Sequence, residues 1–302
     1  MTFDLVDLRA LRAFLLAHAV PGLDEVDLLA DGSSRHHRAV SVGDAPVELT
    51  VILPAGDVGT PVVRARGRAQ GVPSAVAAGR RWVGLDVDPA PGVAALADDP
   101  TLGPLVRARP HLRVPGSTDG FETAVLVVLG QHVSLAAGRR FAARLVAAHG
   151  TSVGRLRTFP AAEALAALDP VGLQAAVGIT GARARTVVAL ARATADGTLA
   201  LRSHGDFAES GSSTALTPRS APDVAETRRR MLALPGVGPW TADLVALRAL
   251  RDPDVFLPGD LVLRRALGGV TARAAASASE AWRPHRSLAV LHLWTHSAID
   301  PR

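Results

Sequence analysis

Residues 234–260 read LPGVGPWTADLVALRALRDPDVFLPGD, and this stretch decides how the chain folds. It opens on a turn with alternating glycines, Gly236 and Gly238, each followed or preceded by proline or valine. Upstream, residues 224–233 (VAETRRRMLA) predict a helix. Downstream, Trp240, Leu244, Val245, Leu247 and Leu250 fall mostly at helical spacing, so a second helix follows at once. Glycine lets the backbone take positive φ and leaves bare N–H groups at the start of that second helix. Unpaired N–H groups and the helix dipole both favour negative charge there. A phosphate held by main chain needs no side chain, which makes such a hairpin suited to DNA without sequence readout.

Charge points the same way once it is divided along the chain. The formal net charge is +5, yet residues 1–108 carry 10 Arg against 13 acidic residues, and residues 109–302 carry 23 Arg against 15. A polyanion-binding face is therefore expected in the second region. Every basic residue is arginine; lysine, asparagine, tyrosine and cysteine are absent. Without cysteine there is no disulfide, no thiolate zinc site and no cysteine-held iron–sulfur cluster. No apolar run reaches the roughly 18 residues that span a bilayer. The first residues include Asp4 and Asp7 and no basic stretch, so no secretory signal is expected, and the expected location is the cytoplasm.

At 302 residues the chain is expected to form more than one compact unit. Residues 4–18 predict an amphipathic helix, and strand-like runs follow at 38–42, 47–53, 61–66 and 82–87. Turn signals at 54–57 and 88–92 separate them. This predicts an α+β N-terminal domain, an antiparallel sheet with helices, over residues 1–108, expected to act as a scaffold. Helical patterns then dominate at 118–130, 135–149, 161–168, 181–195, 224–233, 240–250 and 261–267, giving an all-α core over 109–302 with the hairpin at 234–239. Residues 203–223, rich in Ser, Gly and Pro, are expected to form a mobile surface loop.

LPGVGPWTA (234–242) followed by VFLPGDLVLRRAL (255–267) resembles the helix-hairpin-helix DNA glycosylases, specifically the bacterial 3-methyladenine DNA glycosylase II branch. The resemblance extends to WRPHRSLAVLHLW (282–294), LGQHVS (129–134) and RPHLRVPG (109–116), and more faintly to residues 1–108. It implies a base-excision repair enzyme that flips an alkylated base out of double-stranded DNA and hydrolyses its N-glycosidic bond. Asp260 would be the catalytic carboxylate, stabilising the oxocarbenium-like sugar and orienting water. Trp240, Leu244, Leu261 and Trp294 would line the base pocket, the tryptophans stacking on a cationic base. His132 would be the wedge that fills the gap in the stack, with Gln131 beside it. Gly236, Gly238 and Thr241 would meet phosphate, and the carbonyls of Leu232, Leu234 and Val237 would hold Na+ or K+. No organic cofactor is implied, and a monomer is expected.

The sequence departs from that pattern in the pocket. Leu244 and Leu261 stand where relatives often have tyrosine, and His285 and Leu288 replace a tryptophan and a tyrosine. Trp240 occupies the position where bifunctional relatives carry the Schiff-base lysine, and imine chemistry requires an amine. The expected enzyme is therefore monofunctional, with no lyase step. Other readings stay open. Asp260 after Pro258-Gly259 also suits the N-cap of a helix over 261–267, and a tryptophan is commonly core. A DNA- or lesion-binding protein that keeps the hairpin without catalysis, or a glycosylase for other bases, fits the same residues.

Overall fold

A computed structural model describes residues 4–43, 45–201 and 223–299. Except for Asp223, the stretch 203–223 lies outside the described residues. The N-terminal part begins with β1 (Val6–Asp7) and α1 (Leu8–His18), where the Asp7 carboxylate caps α1 by accepting from Ala10 N at 2.8 Å. An antiparallel sheet follows in the order β2 (Asp24–Leu28), β3 (Ser34–Val42), β4 (Ala45–Leu53), β6 (Val62–Arg66), while β5 (Val58–Gly59) pairs with β1. On β4 the alternate residues Val47, Leu49, Val51 and Leu53 are fully buried, the period of two that a one-sided sheet requires. Helix α2 (Val72–Trp82) covers that face with Ala75 and Trp82.

Two expectations for this region are corrected. Residues 82–87 form no strand: α2 runs through Trp82 and the chain then turns at Gly84, φ +77°. Residues 81–85 are buried continuously, and such a run cannot be told from a strand by periodicity alone. Conversely, the edge strand β2 (DEVDL) was hidden by its three acidic residues. Its charges are matched across the ladder, where Asp24 stands opposite Arg38 and Asp27 lies 3.3 Å from the His37 ring.

Short helices α3 (Ala90–Leu96) and α4 (Gly103–Ala108) lead into the helical part. There α5 (Gly120–Gly130), α6 (Leu135–His149), a small ribbon of β7 (Ser152–Val153) and β8 (Leu156–Arg157), α7 (Ala162–Ala166), α8 (Pro170–Val177) and α9 (Gly181–Ala195) precede the hairpin pair. The pair is α10 (Val224–Leu232) and α11 (Pro239–Arg248), followed by α12 (Leu261–Ala266), α13 (Ala272–Ser279) and α14 (Arg286–Ile299). The helices enclose two hydrophobic cores, and α11 serves both. Ala242 and Val245 pack with α5 and α9; Ala246 and Leu247 pack with α12, α14 and the α3–α4 region. Residues on two sides of one helix are thus committed to cores.

A buried ionic cluster ties the sheet to α5. Arg38 of β3 bonds Asp24 at 2.7 Å, Glu122 of α5 at 2.9 Å and the Thr118 hydroxyl at 2.8 Å, and its guanidinium lies over the Trp82 ring. Burial works against the arginine's charge, but the two carboxylates outweigh it and hold the guanidinium ionised. Burial likewise pushes the Glu122 carboxyl up, to about 7, against the pull of Arg38. Removing one member of such a cluster leaves the others desolvated and unpaired. Arg38→Met is expected to cost about 3–5 kcal/mol of unfolding free energy, measured by urea denaturation; a loss below about 1 kcal/mol would show the cluster to be energetically idle.

Candidate active site

The hairpin between α10 and α11 is anchored from below. Val237 is buried in the α5–α9 core, Leu232 and Leu234 pack against it, and Leu234 N and Val237 N close the turn onto Met231 O (3.0 Å) and Leu234 O (3.2 Å). Gly236 takes φ +79°, and a Cβ there would stand 2.3 Å from Thr186 Oγ1 of α9. Only glycine permits both that conformation and that approach. Gly238 precedes α11 without a side-chain cap. Among the described residues, the amides of Gly236, Gly238, Trp240 and Thr241 donate to no other atom, so four N–H groups are available at one helix start.

Gln131 ends α5, and its side-chain amide donates to Gly236 O (3.1 Å) and to Thr241 Oγ1 (2.8 Å). Its donors are therefore turned to the hairpin, as is the buried Thr241 hydroxyl. Arg183 of α9 fixes the Gln131 carbonyl from behind. His132 stands one residue further, exposed, at φ +53°, on the tip between α5 and α6. A positive φ away from glycine is uncommon and projects this side chain out of the helical run.

Asp260 is the N-cap of α12, its Oδ1 accepting from Leu263 N at 3.0 Å. The same carboxylate accepts from two indoles: Trp240 Nε1 reaches Oδ2 at 3.2 Å, and Trp294 Nε1 reaches Oδ1 at 3.2 Å. No arginine among the described residues pairs with it, and it is only half-buried. The capping and catalytic readings of Asp260 are thus compatible in geometry, since an ionised carboxylate has four lone-pair positions and the cap uses one.

Trp240, whose indole N–H bonds Asp260, lines a cavity of about 560 Å³. Trp240, Leu244 and Arg248, at i, i+4 and i+8 of α11, form one wall. Val133 and Leu135 of the α5–α6 turn and Val262 of α12 also line it. So do Phe14 and His18 of α1, Arg38 of β3 and Trp82 of α2. The N-terminal sheet domain therefore supplies part of the lining of this cavity. Its contribution was invisible in the sequence because nothing local marks which face of α1 a distant helix will use.

Two expected pocket residues, and two positions where the pattern departs, lie away from this cavity. Leu261 is exposed and does not line the cavity; its neighbour Val262 does, because Asp260 starts a helix whose first turn rotates residue 261 outward. Trp294 lines an adjoining cavity of about 470 Å³ with α1 and meets the site through Asp260. His285 and Leu288 line a third cavity of about 230 Å³ near Gly92, so their departures from the family pattern do not alter the walls around Trp240. No group of three His, Asp or Glu that could hold a metal ion occurs among the described residues, and no described helix is long and apolar enough to cross a membrane.

The chain has known relatives. Residues 125–283 match the HhH-GPD superfamily of base excision DNA repair proteins, and residues 6–119 match the AlkA N-terminal domain. The chain belongs to the HhH-GPD superfamily. It is 40% identical over 290 residues to the "Probable bifunctional transcriptional activator/DNA repair enzyme AlkA" of Mycobacterium tuberculosis, covering 93% of this chain and 53% of that protein. The chain thus spans about half the length of that relative. It is 35% identical over 203 residues to "DNA-3-methyladenine glycosylase 2" of Escherichia coli, covering 66% of each. The solved 3-methyladenine DNA-glycosylase of Archaeoglobus fulgidus shares the fold with a TM-score of 0.74 at 20% identity, covering 98% of this chain and 96% of that one.

The two hairpin glycines should respond differently to a methyl group. Gly236→Ala is expected to lower unfolding free energy by about 1–3 kcal/mol, from positive φ and the Thr186 clash. Gly238→Ala meets open space at φ −98° and should cost well under half of that in the same thermal melt. Equal losses would contradict the packing described.

Proposed function

We propose that this protein is a monofunctional DNA glycosylase of base excision repair, which flips an alkylated base of the 3-methyladenine type out of duplex DNA and hydrolyses its N-glycosidic bond. The observation that carries this reading is the Asp260 carboxylate, paired with no cation among the described residues and held by two indole N–H groups, one of them from Trp240, which lines a cavity large enough for a base. Cleavage of the bond builds positive charge on the deoxyribose, and a fixed carboxylate beside C1′ stabilises it while orienting the attacking water. An alkylated purine leaves as a neutral base, so little acid catalysis is needed. The free amides of Gly236, Gly238, Trp240 and Thr241 would grip a phosphate, and the exposed His132 would plug the stack.

The carbonyls of Leu232 and Val237 accept no hydrogen bond among the described residues, which suits the backbone ligands of a Na+ or K+ ion at the hairpin, with Leu234 O as the third. Such an ion would rigidify the turn and offset phosphate charge. The absence of lysine supports hydrolysis without a Schiff base, and Trp240 fills the place where an amine would be needed.

Incubation with duplex DNA carrying 3-methyladenine should yield alkali-labile abasic sites without strand nicking before alkali. Asp260→Asn should retain DNA affinity within about threefold yet slow single-turnover release at least about 100-fold, the scale on which removing one electrostatic stabiliser acts. Near-normal release by that variant would remove Asp260 from the catalytic role, and absence of release by the unaltered protein despite DNA binding would leave a DNA-binding protein without catalysis. Borohydride should trap no covalent protein–DNA adduct; a trapped adduct would overturn the monofunctional assignment.

A further inference from the structure

One wall of the cavity carries a hydrogen-bond acceptor that no described residue uses. His18 ends α1, is exposed, and lines both the cavity beside Trp240 and the adjoining one. Its Nδ1 lies 2.8 Å from Phe14 O. A carbonyl oxygen only accepts, so Nδ1 holds the proton and donates it, and Nε2 of the neutral ring keeps its lone pair. That Nε2 has no partner among the described residues.

The surroundings keep the ring neutral. It stacks on Phe14 with centroids 4.2 Å apart, and the Arg248 guanidinium lies 4.4 Å from the same Phe14 centroid. Desolvation, then the Arg248 charge, lower the His18 pKa to about 4, and Arg139 adds to the fall. No carboxylate among the described residues pairs with the ring, and Asp24 and Glu122, the acids that line the cavity, are both engaged by Arg38. The wall therefore offers a lone pair where a charged imidazole would offer only N–H donors.

Position and chemistry together say which part of a base would meet it. Trp240 bonds Asp260 at the start of α11, and Arg248 follows eight residues on, about 12 Å along the axis at 1.5 Å per residue. The cluster of Arg248, Phe14 and His18 thus belongs to the end of the wall away from the acid. A purine whose glycosidic nitrogen lies beside Asp260 turns the edge carrying position 6 away from the sugar, toward that end. In an adenine alkylated at N3 no ring nitrogen bears hydrogen, so the 6-amino group is the one N–H donor the base has. A buried contact of donor to acceptor discriminates well, because an analogue without the donor leaves the acceptor unpaired.

We propose that His18 is a specificity-determining residue of this site, its Nε2 accepting from the 6-amino group of the flipped N3-alkyladenine. The proposal rests on the glycosylase reading above and adds the edge of the base that is read. Trp240 and His18 then divide the work: the indole meets the face of the ring, and the imidazole tests its far edge.

The test uses two free bases that differ only in the amino group, 3-methyladenine and 3-methylpurine, with affinities measured by calorimetry on the full chain and on His18→Phe. The phenylalanine keeps an aromatic ring against Phe14 and removes Nε2. The unaltered protein should bind 3-methyladenine about tenfold more tightly than 3-methylpurine, the scale of one hydrogen bond. Equal affinities overturn the proposal, and this arm needs no variant to fold. His18→Phe should bind the two bases equally, through weaker binding of 3-methyladenine alone; a preference that survives in the variant also overturns the proposal. Release of 3-methyladenine from duplex DNA by the unaltered protein, followed in parallel, separates the two readings. If release proceeds while the preference is absent or insensitive to His18→Phe, His18 alone is misassigned; if no base is released, the glycosylase reading fails and this proposal with it.

Discussion

Three helices meet on a single carboxylate. Asp260 caps α12 through Leu263 N and receives the indole N–H of Trp240 from α11 and of Trp294 from α14. Each contact is worth little alone, since an intramolecular hydrogen bond contributes only about 1 kcal/mol net. Together they fix the acid in position and orientation, which is what electrostatic catalysis requires of a group that must act without reorganising. The donors are neutral, so the field of the carboxylate is not cancelled by a paired arginine. An acid locked to a guanidinium would have served the fold equally well and left nothing for a developing cation.

The division of labour within α11 follows from packing. Ala242 and Val245 belong to one core, Ala246 and Leu247 to the other, and the stripe of Trp240, Leu244 and Arg248, with Leu244 also against the second core, lines the cavity. The hairpin that starts this helix is held by Val237 below and by Gln131 at the side. The unpaired hairpin amides, the indole beside the acid and the cavity wall are therefore parts of one rigid element. The opposite wall comes from α1, β3 and α2, held against α5 by the buried Arg38 cluster. Stability of that distant cluster and shape of the cavity are consequently linked.

Much of this was legible because it depends on short-range rules. The glycine hairpin, the cap at Asp260 and helices such as Gly181–Ala195 and Leu135–His149 announce themselves through spacing and capping chemistry. The β4 alternation did so through its period of two. What escaped depends on contacts far apart in sequence. The strand β2 looks like an acidic loop until Arg38 is placed opposite Asp24. Residues 82–87 mimic a strand because 82–85 are buried without a break. Leu261 and Val262 are adjacent, and only the helix start at Asp260 decides which one faces the cavity. Trp294, His285 and Leu288 share one terminal segment yet line two cavities apart from the one beside Trp240. A family pattern groups them by sequence; the three-dimensional packing separates them.

The claim on which the account turns is that an uncancelled negative charge waits where the sugar becomes positive. The most direct measurement is the affinity for duplex DNA carrying a cationic pyrrolidine abasic analogue, compared with the neutral tetrahydrofuran analogue, in the unaltered protein and in Asp260→Asn. The account predicts that the cationic analogue binds at least tenfold more tightly and that the variant loses this preference. Equal affinity for both analogues in the unaltered protein would contradict it.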